Sequence, residues 1–335
     1  MDRRPIVAVT RALPAEAVVR LAAGGAEVRR SPHERPLTAE ELRALAHGAD
    51  ALVTFLHDRV DGALLDAAGP RLRCVANVAV GVDNVELAAA RARGVLVTNT
   101  PGVLTDATAD LTLALMLAAT RRLGEGERLI RAGVPWSWEL DFLTGPGLAG
   151  KLLGIVGYGA IGQAVARRAR AFGMEIACSG RGRPDAAAPA PSGSLAAAAP
   201  RRLDLDALFA AADVVSLHCP LTPATHHLVD ARRLASMKPT AVLVNTARGP
   251  IVDEAALAAA LRDGTIRAAA LDVFEHEPRV TLALLELENV VLAPHLGSAT
   301  IETRAAMALL AVDNVRAVLA GEAPLTPVDM ERPSR

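Results

Sequence analysis

Residues 152–162 read LLGIVGYGAIG, and this stretch decides the fold. The apolar run 152–156 suits a buried strand and leads into Gly157-x-Gly159-x-x-Gly162. Residues 163–173, QAVARRARAFG, follow as a helix closed by Gly173. Glycine is wanted at 157 for the tight turn, at 159 so that backbone can approach a pyrophosphate, and at 162 for close helix–strand packing. The helix amides and the helix dipole then face the anion. A plain glycine-rich turn is the alternative, but the strand in front and the helix behind favour a dinucleotide site. Such a site opens its own domain, so the roughly 150 residues ahead of it form a second module.

Composition fits two ordinary cores. The chain has 335 residues, 51% hydrophobic and 22% charged, with a net charge of −1. A balance so close to neutral gives no electrostatic bias toward nucleic acid or membrane. Cys74, Cys178 and Cys219 stand singly in apolar surroundings. An odd number without metal-type spacing argues for reduced core thiols and against zinc. The N-terminus has only a five-residue apolar run, a first strand and not a signal peptide, so a cytoplasmic protein is expected. Residues 111–120, LTLALMLAAT, are about half the length needed to span a bilayer and read as a buried helix.

Strand-like runs at 6–10, 51–55, 72–78 and 95–99 alternate with helical patterns. One of these helices opens on a capping box formed by Thr38 and Glu41. Beyond residue 151, runs at 152–156, 174–179, 213–219, 241–247, 268–273 and 289–294 repeat the βαβ rhythm of a doubly wound sheet. Residues 184–200 are rich in Ala and Pro and read as a surface insertion. From Ser298 one amphipathic helix is expected to return to the first module. The expected division is 1–100 plus 295–335 for one domain and 101–294 for the other. Within the second, residues 121–150 carry Trp136, Trp138 and Phe142 in a chain with 2% aromatics. They form either a local core or an arm that covers a partner subunit or the active-site mouth.

Three strand ends of the second module offer chemistry, in the place where open α/β sheets bind ligands. Arg248 follows the run 241–247, Glu275, His276 and Glu277 follow 268–273, and His295 follows 289–294. A guanidinium grips a carboxylate bidentately. A histidine is the natural proton donor near neutrality, and a carboxylate beside it fixes its tautomer. Together these are the parts for reducing a 2-oxo acid beside a nicotinamide. Each taken singly could be a loop residue capping a strand. His33, His47, His57, His226 and His227 lie in loops and turns, and His276 is expected to face solvent.

Seven ordered segments carry a resemblance over nearly the whole chain. They are NVAVGVDNVE (77–86), NTPGVLTDATADL (99–111), VGYGAIG (156–162), HCPLTPATHHLV (218–229), NTARGPIVDEAAL (245–257), ALDVFEHEP (270–278) and PHLGSAT (294–300). The chain resembles the D-isomer-specific 2-hydroxyacid dehydrogenases, and its wording is similar to their glyoxylate/hydroxypyruvate reductase branch. It departs from them at 279–287, where relatives carry a His-Pro pair. The resemblance implies an α/β protein of two doubly wound parallel sheets, with a Rossmann NAD(P)-binding domain inserted into a discontinuous flavodoxin-like substrate domain.

It also implies roles. Arg248 binds the substrate carboxylate and carbonyl, and Glu277 pairs with His295, which moves the proton. Val80 and Gly81 donate backbone N–H groups to the carboxylate, while Leu56 and Ser298 line the pocket. The cofactor falls to Thr108, Gly157, Tyr158, Gly159, Ala160, Ile161, Gly162, Ser179, Cys219, Pro220, Thr225, Thr246, Ala247, Asp272 and Gly297. A carboxylate that would bond the ribose 2′-hydroxyl is missing after the run 174–179, where Ser179-Gly180-Arg181-Gly182-Arg183 stands instead. Ser179, Arg181 and Arg183 therefore suit a 2′-phosphate, and NADP(H) is expected over NAD(H). The implied substrates are small 2-oxo acids, glyoxylate and hydroxypyruvate first, and the implied assembly is a homodimer. A 2-ketogluconate reductase, another D-2-hydroxyacid dehydrogenase and a non-catalytic NAD(P)-sensing protein on the same fold remain open.

Overall fold

The computed structural model describes residues 3–33, 35–180 and 199–330. Arg181 and Arg183 lie outside the described residues. The chain divides into two compact units, Met1–Leu104 with Ala299–Arg335, and Thr105–Ser298.

The first unit is built on a parallel sheet of β1 (Ile6–Val9), β2 (Glu27–Arg30), β3 (Ala51–Thr54), β4 (Cys74–Asn77) and β5 (Leu96–Thr98), in the order β2-β1-β3-β4-β5. This is the flavodoxin-like order. Every residue of β1, β3 and β4 is buried, so these strands read as unbroken apolar runs. The edge strand β2, Glu-Val-Arg-Arg, has no such run. Its pairing with β1 makes it a strand, because tertiary context overrides weak propensity at a sheet edge. The expected capping box is present: the Glu41 N–H donates to Thr38 Oγ1, and the Thr38 N–H donates to the Glu41 carboxylate. The long helix Ile301–Ala320 packs on β3, β4 and the helix Ala15–Ala23, all in this unit. It is more enclosed than an amphipathic surface helix, with Met307, Ala311, Asn314, Val315 and Val318 all buried.

The second unit holds a seven-stranded parallel sheet. Its strands are β6 (Leu152–Val156), β7 (Glu175–Ser179), β8 (Arg201–Arg202), β9 (Val214–Leu217), β10 (Val242–Asn245), β11 (Ala268–Leu271) and β12 (Val290–Leu292). Their order is β12-β11-β10-β9-β6-β7-β8. Counted from β6 as the first strand, this is 3-2-1-4-5-6-7, a Rossmann sheet whose direction of travel reverses between β6 and β9. One face is covered by a cluster around Leu208, Phe209, Leu243 and Leu257, the other by one around Met116, Ile155, Val165 and Val244. Leu208 and Phe209 are fully buried, and truncating either to alanine is expected to cost about 2–5 kcal/mol. A Cβ on Gly154 would meet the Leu208 side chain at 2.6 Å, so glycine sets how closely that helix lies on β6.

Among the described residues no helix is long and apolar enough to cross a membrane, and no cluster of His, Cys, Asp and Glu could hold a metal. Burial pushes the Cys74 thiol up to about 12 and Cys219 to about 11. Both thiols are therefore protonated and unreactive near neutral pH.

Candidate active site

The glycine loop sits at the reversal of strand order. Gly157 has φ 94°, open to glycine and costly for other residues, and a Cβ there would meet the Cys219 backbone nitrogen at 2.6 Å. Gly162 is equally constrained, since its Cβ would meet the Gly157 carbonyl oxygen at 2.4 Å. Gly159 differs. It precedes the helix Ala160–Ala171, and among the described residues a Cβ there would meet nothing within 4 Å. The space in front of this helix N-terminus is thus kept clear on the side where an anion would approach. Gly159 and Ala160 are exposed, whereas Tyr158 is buried in the core. The strand β7 ends on half-buried Ser179.

Two threonines lock the helix Thr105–Thr120 to the strand ends. Thr108 Oγ1 donates to the Gly297 carbonyl at 3.1 Å, and Thr112 Oγ1 lies 2.9 Å from Thr246 Oγ1. Thr225 Oγ1 donates to the Pro220 carbonyl and accepts the Thr222 N–H, shaping the turn after Cys219.

The charged residues meet at the ends of β10, β11 and β12. Asn245, fully buried, accepts the Ala247 N–H and donates to the Arg248 carbonyl, which fixes the turn that presents Arg248. A Cβ on Gly249 would meet the Phe274 carbonyl carbon at 1.9 Å. Glycine there lets the Arg248 turn lie directly on the loop carrying Glu277. Glu277 Oε1 accepts the Phe274 N–H at 3.0 Å, and Oε2 stands 2.9 Å from His295 Nδ1. Because a carboxylate only accepts, Nδ1 carries the hydrogen and Nε2 is the free end of the ring.

His295 has φ 55°, in the left-handed region that branched and bulky residues avoid. It is held there by its N–H to the Asp272 carbonyl at 2.8 Å and by the turn that follows. Asp272 is 1% exposed, and its two oxygens accept the Leu296 N–H at 2.6 Å and the Gly297 N–H at 2.8 Å. Burial moves this carboxyl up from its ordinary value, against the pull of those donors. Asp272, expected among the cofactor residues, thus spends its carboxylate on the turn beneath His295. Ser298 follows that turn, half-buried.

A second ionic network, not read from the sequence, braces these loops. His227 Nε2 lies 2.5 Å from Glu275 Oε1. Glu275 and the buried Glu254 exchange backbone and carboxylate bonds: Glu275 N–H to Glu254 Oε1 at 2.7 Å, and Glu254 N–H to Glu275 Oε2 at 3.1 Å. Thr281 Oγ1 also donates to Glu254. His227 in its Thr-rich turn gave no signal, because its partner lies 48 residues away. His276 is exposed, as expected.

In the first unit, Leu56 is half-buried and Val80 is 37% exposed. The segment 79–81 has every carbonyl engaged: Ala79 accepts the Thr100 N–H at 2.8 Å, Val80 accepts Asn99 Nδ2 at 2.8 Å, and Gly81 accepts Asn77 Nδ2 at 3.0 Å. Among the described residues nothing accepts from the Val80 or Gly81 N–H groups. Two adjacent backbone donors left open in this way suit an anion. Buried Asp58 braces the neighbouring loop, accepting from Thr10 Oγ1 and from the Phe55 N–H at 2.8 Å.

Residues 121–150 carry a group of exposed apolar side chains. Leu123, Ile130, Trp136, Trp138, Leu140 and Phe142 are all open, and Trp136 stacks on Phe142 with ring centres 6.0 Å apart. The helix Leu123–Arg131 buries none of its residues.

The chain is similar to known proteins over nearly its whole length. The family model for the D-isomer specific 2-hydroxyacid dehydrogenase NAD binding domain matches residues 113–297. The glyoxylate reductase of Thermococcus kodakarensis is 46% identical, over 98% of this chain and 97% of its own length. A solved protein of Thermus thermophilus superposes with a TM-score of 0.87 at 46% identity, covering 96% of this chain and 99% of that one. The NADPH-dependent glyoxylate/hydroxypyruvate reductase of Sinorhizobium meliloti, solved with NADP and malonate, gives 0.81 at 35% identity and covers 99% of both chains.

Proposed function

As the chain belongs to the D-isomer specific 2-hydroxyacid dehydrogenase family, an enzyme family using a nicotinamide cofactor, we propose that it is an NADPH-dependent reductase of small 2-oxo acids. It turns glyoxylate into glycolate and hydroxypyruvate into D-glycerate, as a cytoplasmic homodimer. The single observation that carries this reading is the His295–Glu277 pair with Nε2 left free, one strand end away from Arg248.

The residues present fit a dinucleotide. Gly159 leaves clear space at a helix N-terminus, and Gly157 and Gly162 bring strand and helix close enough to form the cradle. Ala160 and Ile161 would offer backbone N–H groups to the pyrophosphate. Thr246, Ala247, Gly297 and Thr108 would border the nicotinamide end, and Cys219, Pro220 and Thr225 the adenosine side of the cleft. When bound, the reduced nicotinamide supplies the hydride for the carbonyl carbon.

The chain's own residues do the remaining work. His295 Nε2 gives its proton to the substrate oxygen, and Glu277 stabilises the imidazolium and holds the ring in its tautomer. Arg248 grips the carboxylate and polarises the carbonyl. The Val80 and Gly81 N–H groups are assigned to the same carboxylate, and Leu56 and Ser298 to the lining of the pocket. The first unit is thus the substrate domain. The apolar walls leave a phosphate or second carboxylate without a partner, which disfavours 3-phosphohydroxypyruvate and oxaloacetate.

NADPH is preferred because β7 ends in Ser179 with no acid to bond a ribose 2′-hydroxyl and repel a 2′-phosphate. Arg181 and Arg183 supply the cations. Replacing both with alanine raises KM for NADPH far more than for NADH. The exposed aromatics of 121–150 form the dimer interface, and sedimentation at micromolar concentration reads a dimer. The substrate reading is tested by kcat/KM with NADPH across glyoxylate, hydroxypyruvate, pyruvate, oxaloacetate and 2-ketogluconate. Glyoxylate or hydroxypyruvate leads the series. If 2-ketogluconate leads, the substrate assignment falls and the mechanism stands.

A further inference from the structure

The first unit ties its open donors to a part of the chain far from them in sequence. Beyond the helix Ile301–Ala320 the chain returns along β5, with the Val328 N–H donating to the Val97 carbonyl at 2.8 Å and Pro327 bridging Thr98. Thr326 stands at the head of this return. Its hydroxyl accepts from Asn314 Nδ2 at 2.8 Å and donates to the Asn99 carbonyl at 2.6 Å. Its N–H donates to Asn314 Oδ1 at 2.9 Å. Asn314 is fully buried, so both its amide oxygen and its nitrogen are committed, the latter also to the Leu310 carbonyl. Asn99 then spends its own side chain on the Val80 carbonyl.

The bonds run in one sense. The Asn314 amide donates to Thr326, and the Thr326 hydroxyl donates to the Asn99 backbone. The Asn99 amide in turn donates to Val80. The first two bonds fix the backbone at Asn99, and that backbone carries the side-chain amide that holds Val80. Their end point is the Val80 carbonyl, whose peptide nitrogen belongs to Gly81. Because a peptide is planar, fixing that carbonyl fixes the direction of the Gly81 N–H. No other side chain holds the Val80 carbonyl among the described residues.

We infer that Asn314, Thr326 and Asn99 are positioning residues that aim the Gly81 N–H at the substrate carboxylate. This rests on the reading that the Val80 and Gly81 N–H groups bind that carboxylate. None of the three touches substrate in this assignment. Their effect is on the affinity for the 2-oxo acid, with the proton donor and the cofactor site of the second unit left alone.

The test compares Asn99→Ala, Thr326→Val and Thr326→Ser. Asn99→Ala and Thr326→Val raise KM for glyoxylate by about 3- to 10-fold, the range for loss of one hydrogen bond. KM for NADPH and kcat stay within about twofold, inside the scatter of hydrogen-bond energies. Thr326→Ser keeps the hydroxyl and restores the wild-type value. Arg20→Ala serves as a control for stability alone, because it removes the ion pair to Asp313 on the same helix without touching the relay. It moves Tm and leaves KM unchanged.

A readout independent of turnover is amide hydrogen exchange at Ala79 and Thr100, whose N–H groups donate to the Asn77 and Ala79 carbonyls. This exchange quickens in Asn99→Ala and Thr326→Val and not in Thr326→Ser. Unchanged KM and unchanged exchange in the first two variants overturn the inference, as does an equal rise in KM for both substrates. A wild type that reduces no 2-oxo acid while the exchange responds as stated overturns the functional reading and leaves the relay standing as a positioning device.

Discussion

At the carboxyl ends of its strands, the five-stranded sheet carries a net of hydroxyls and amides around Asp58, whereas the seven-stranded sheet carries ion pairs. Thr10, Asn77, Asn84 and Asn99 hold backbone groups of the first unit in place, and Thr54 donates to the Asn77 side chain. Glu277 with His295, and Glu275 with His227, stand at the second. A net of neutral amides fixes directions and moves no charge. It suits a surface that has to present backbone donors to an anion. An ion pair holds a proton where it can be given up, and it suits chemistry. In the proposed function, two sheets of one architecture divide recognition from reaction by the polarity of what caps them.

The sharpest way to break this division is to remove the proton donor. His295→Ala is expected to lower kcat by about 10²–10⁴-fold, the range for loss of a positioned general acid. Near-normal turnover in that variant would place the chemistry elsewhere. Next in size is Arg248→Lys, expected to lower kcat/KM for glyoxylate by about 10- to 100-fold, because an ammonium cannot reproduce the bidentate fork. A lysine that restored wild-type kcat/KM would show that Arg248 supplies only charge.

The glycine loop offers a smaller and cleaner contrast. Gly159→Ala has room in the protein, so Tm holds while KM for NADPH rises by about tenfold. Gly162→Ala has no room against the Gly157 carbonyl and lowers Tm instead. If both variants behaved alike, the space in front of the helix would not be reserved for a ligand.

The smallest effect concerns His218, hydrogen-bonded to Ser216 Oγ at 2.8 Å. Desolvation pushes its pKa down to about 4, below the ordinary 6.5. The folded protein therefore resists a proton that the unfolded chain accepts. The stability tied to this difference is complete above about 6.5 and drains away as pH falls toward about 4. Between pH 7.5 and 6 the wild type should lose just under about 1 kcal/mol relative to His218→Gln. Urea unfolding at the two pH values measures it, and parallel curves would show that His218 titrates normally.

Much of this was legible before any coordinates. The runs of Val, Ile, Leu and Ala in β1, β3, β4 and β10 announce strands buried on both faces. Arg248 and His295 could be read because each directly follows such a run, and Glu277 was distinguished from Glu275 by the family resemblance. β2 and β8 could not, since Glu27–Arg30 and Arg201–Arg202 have the composition of a solvated loop and are strands only by pairing at a sheet edge. The helix Ile301–Ala320 was legible as a helix. Only the return of Thr326 shows why an amide, that of Asn314, is buried in it.

What the sequence determined by itself is whatever depends on neighbours along the chain: the glycine loop between strand and helix, the alternation of βαβ units, the capping box at Thr38, and the chemistry at successive strand ends. Tertiary structure decided what depends on residues far apart. It set the left-handed turn at His295 over Asp272, the bracing of Glu275 by His227 and Glu254, and the hold of Asn99 on Val80. The physical reason is that a hydrogen bond constrains direction within a few tenths of an ångström. Spacing along a chain says nothing about direction across 19 to 227 residues until the backbone has folded.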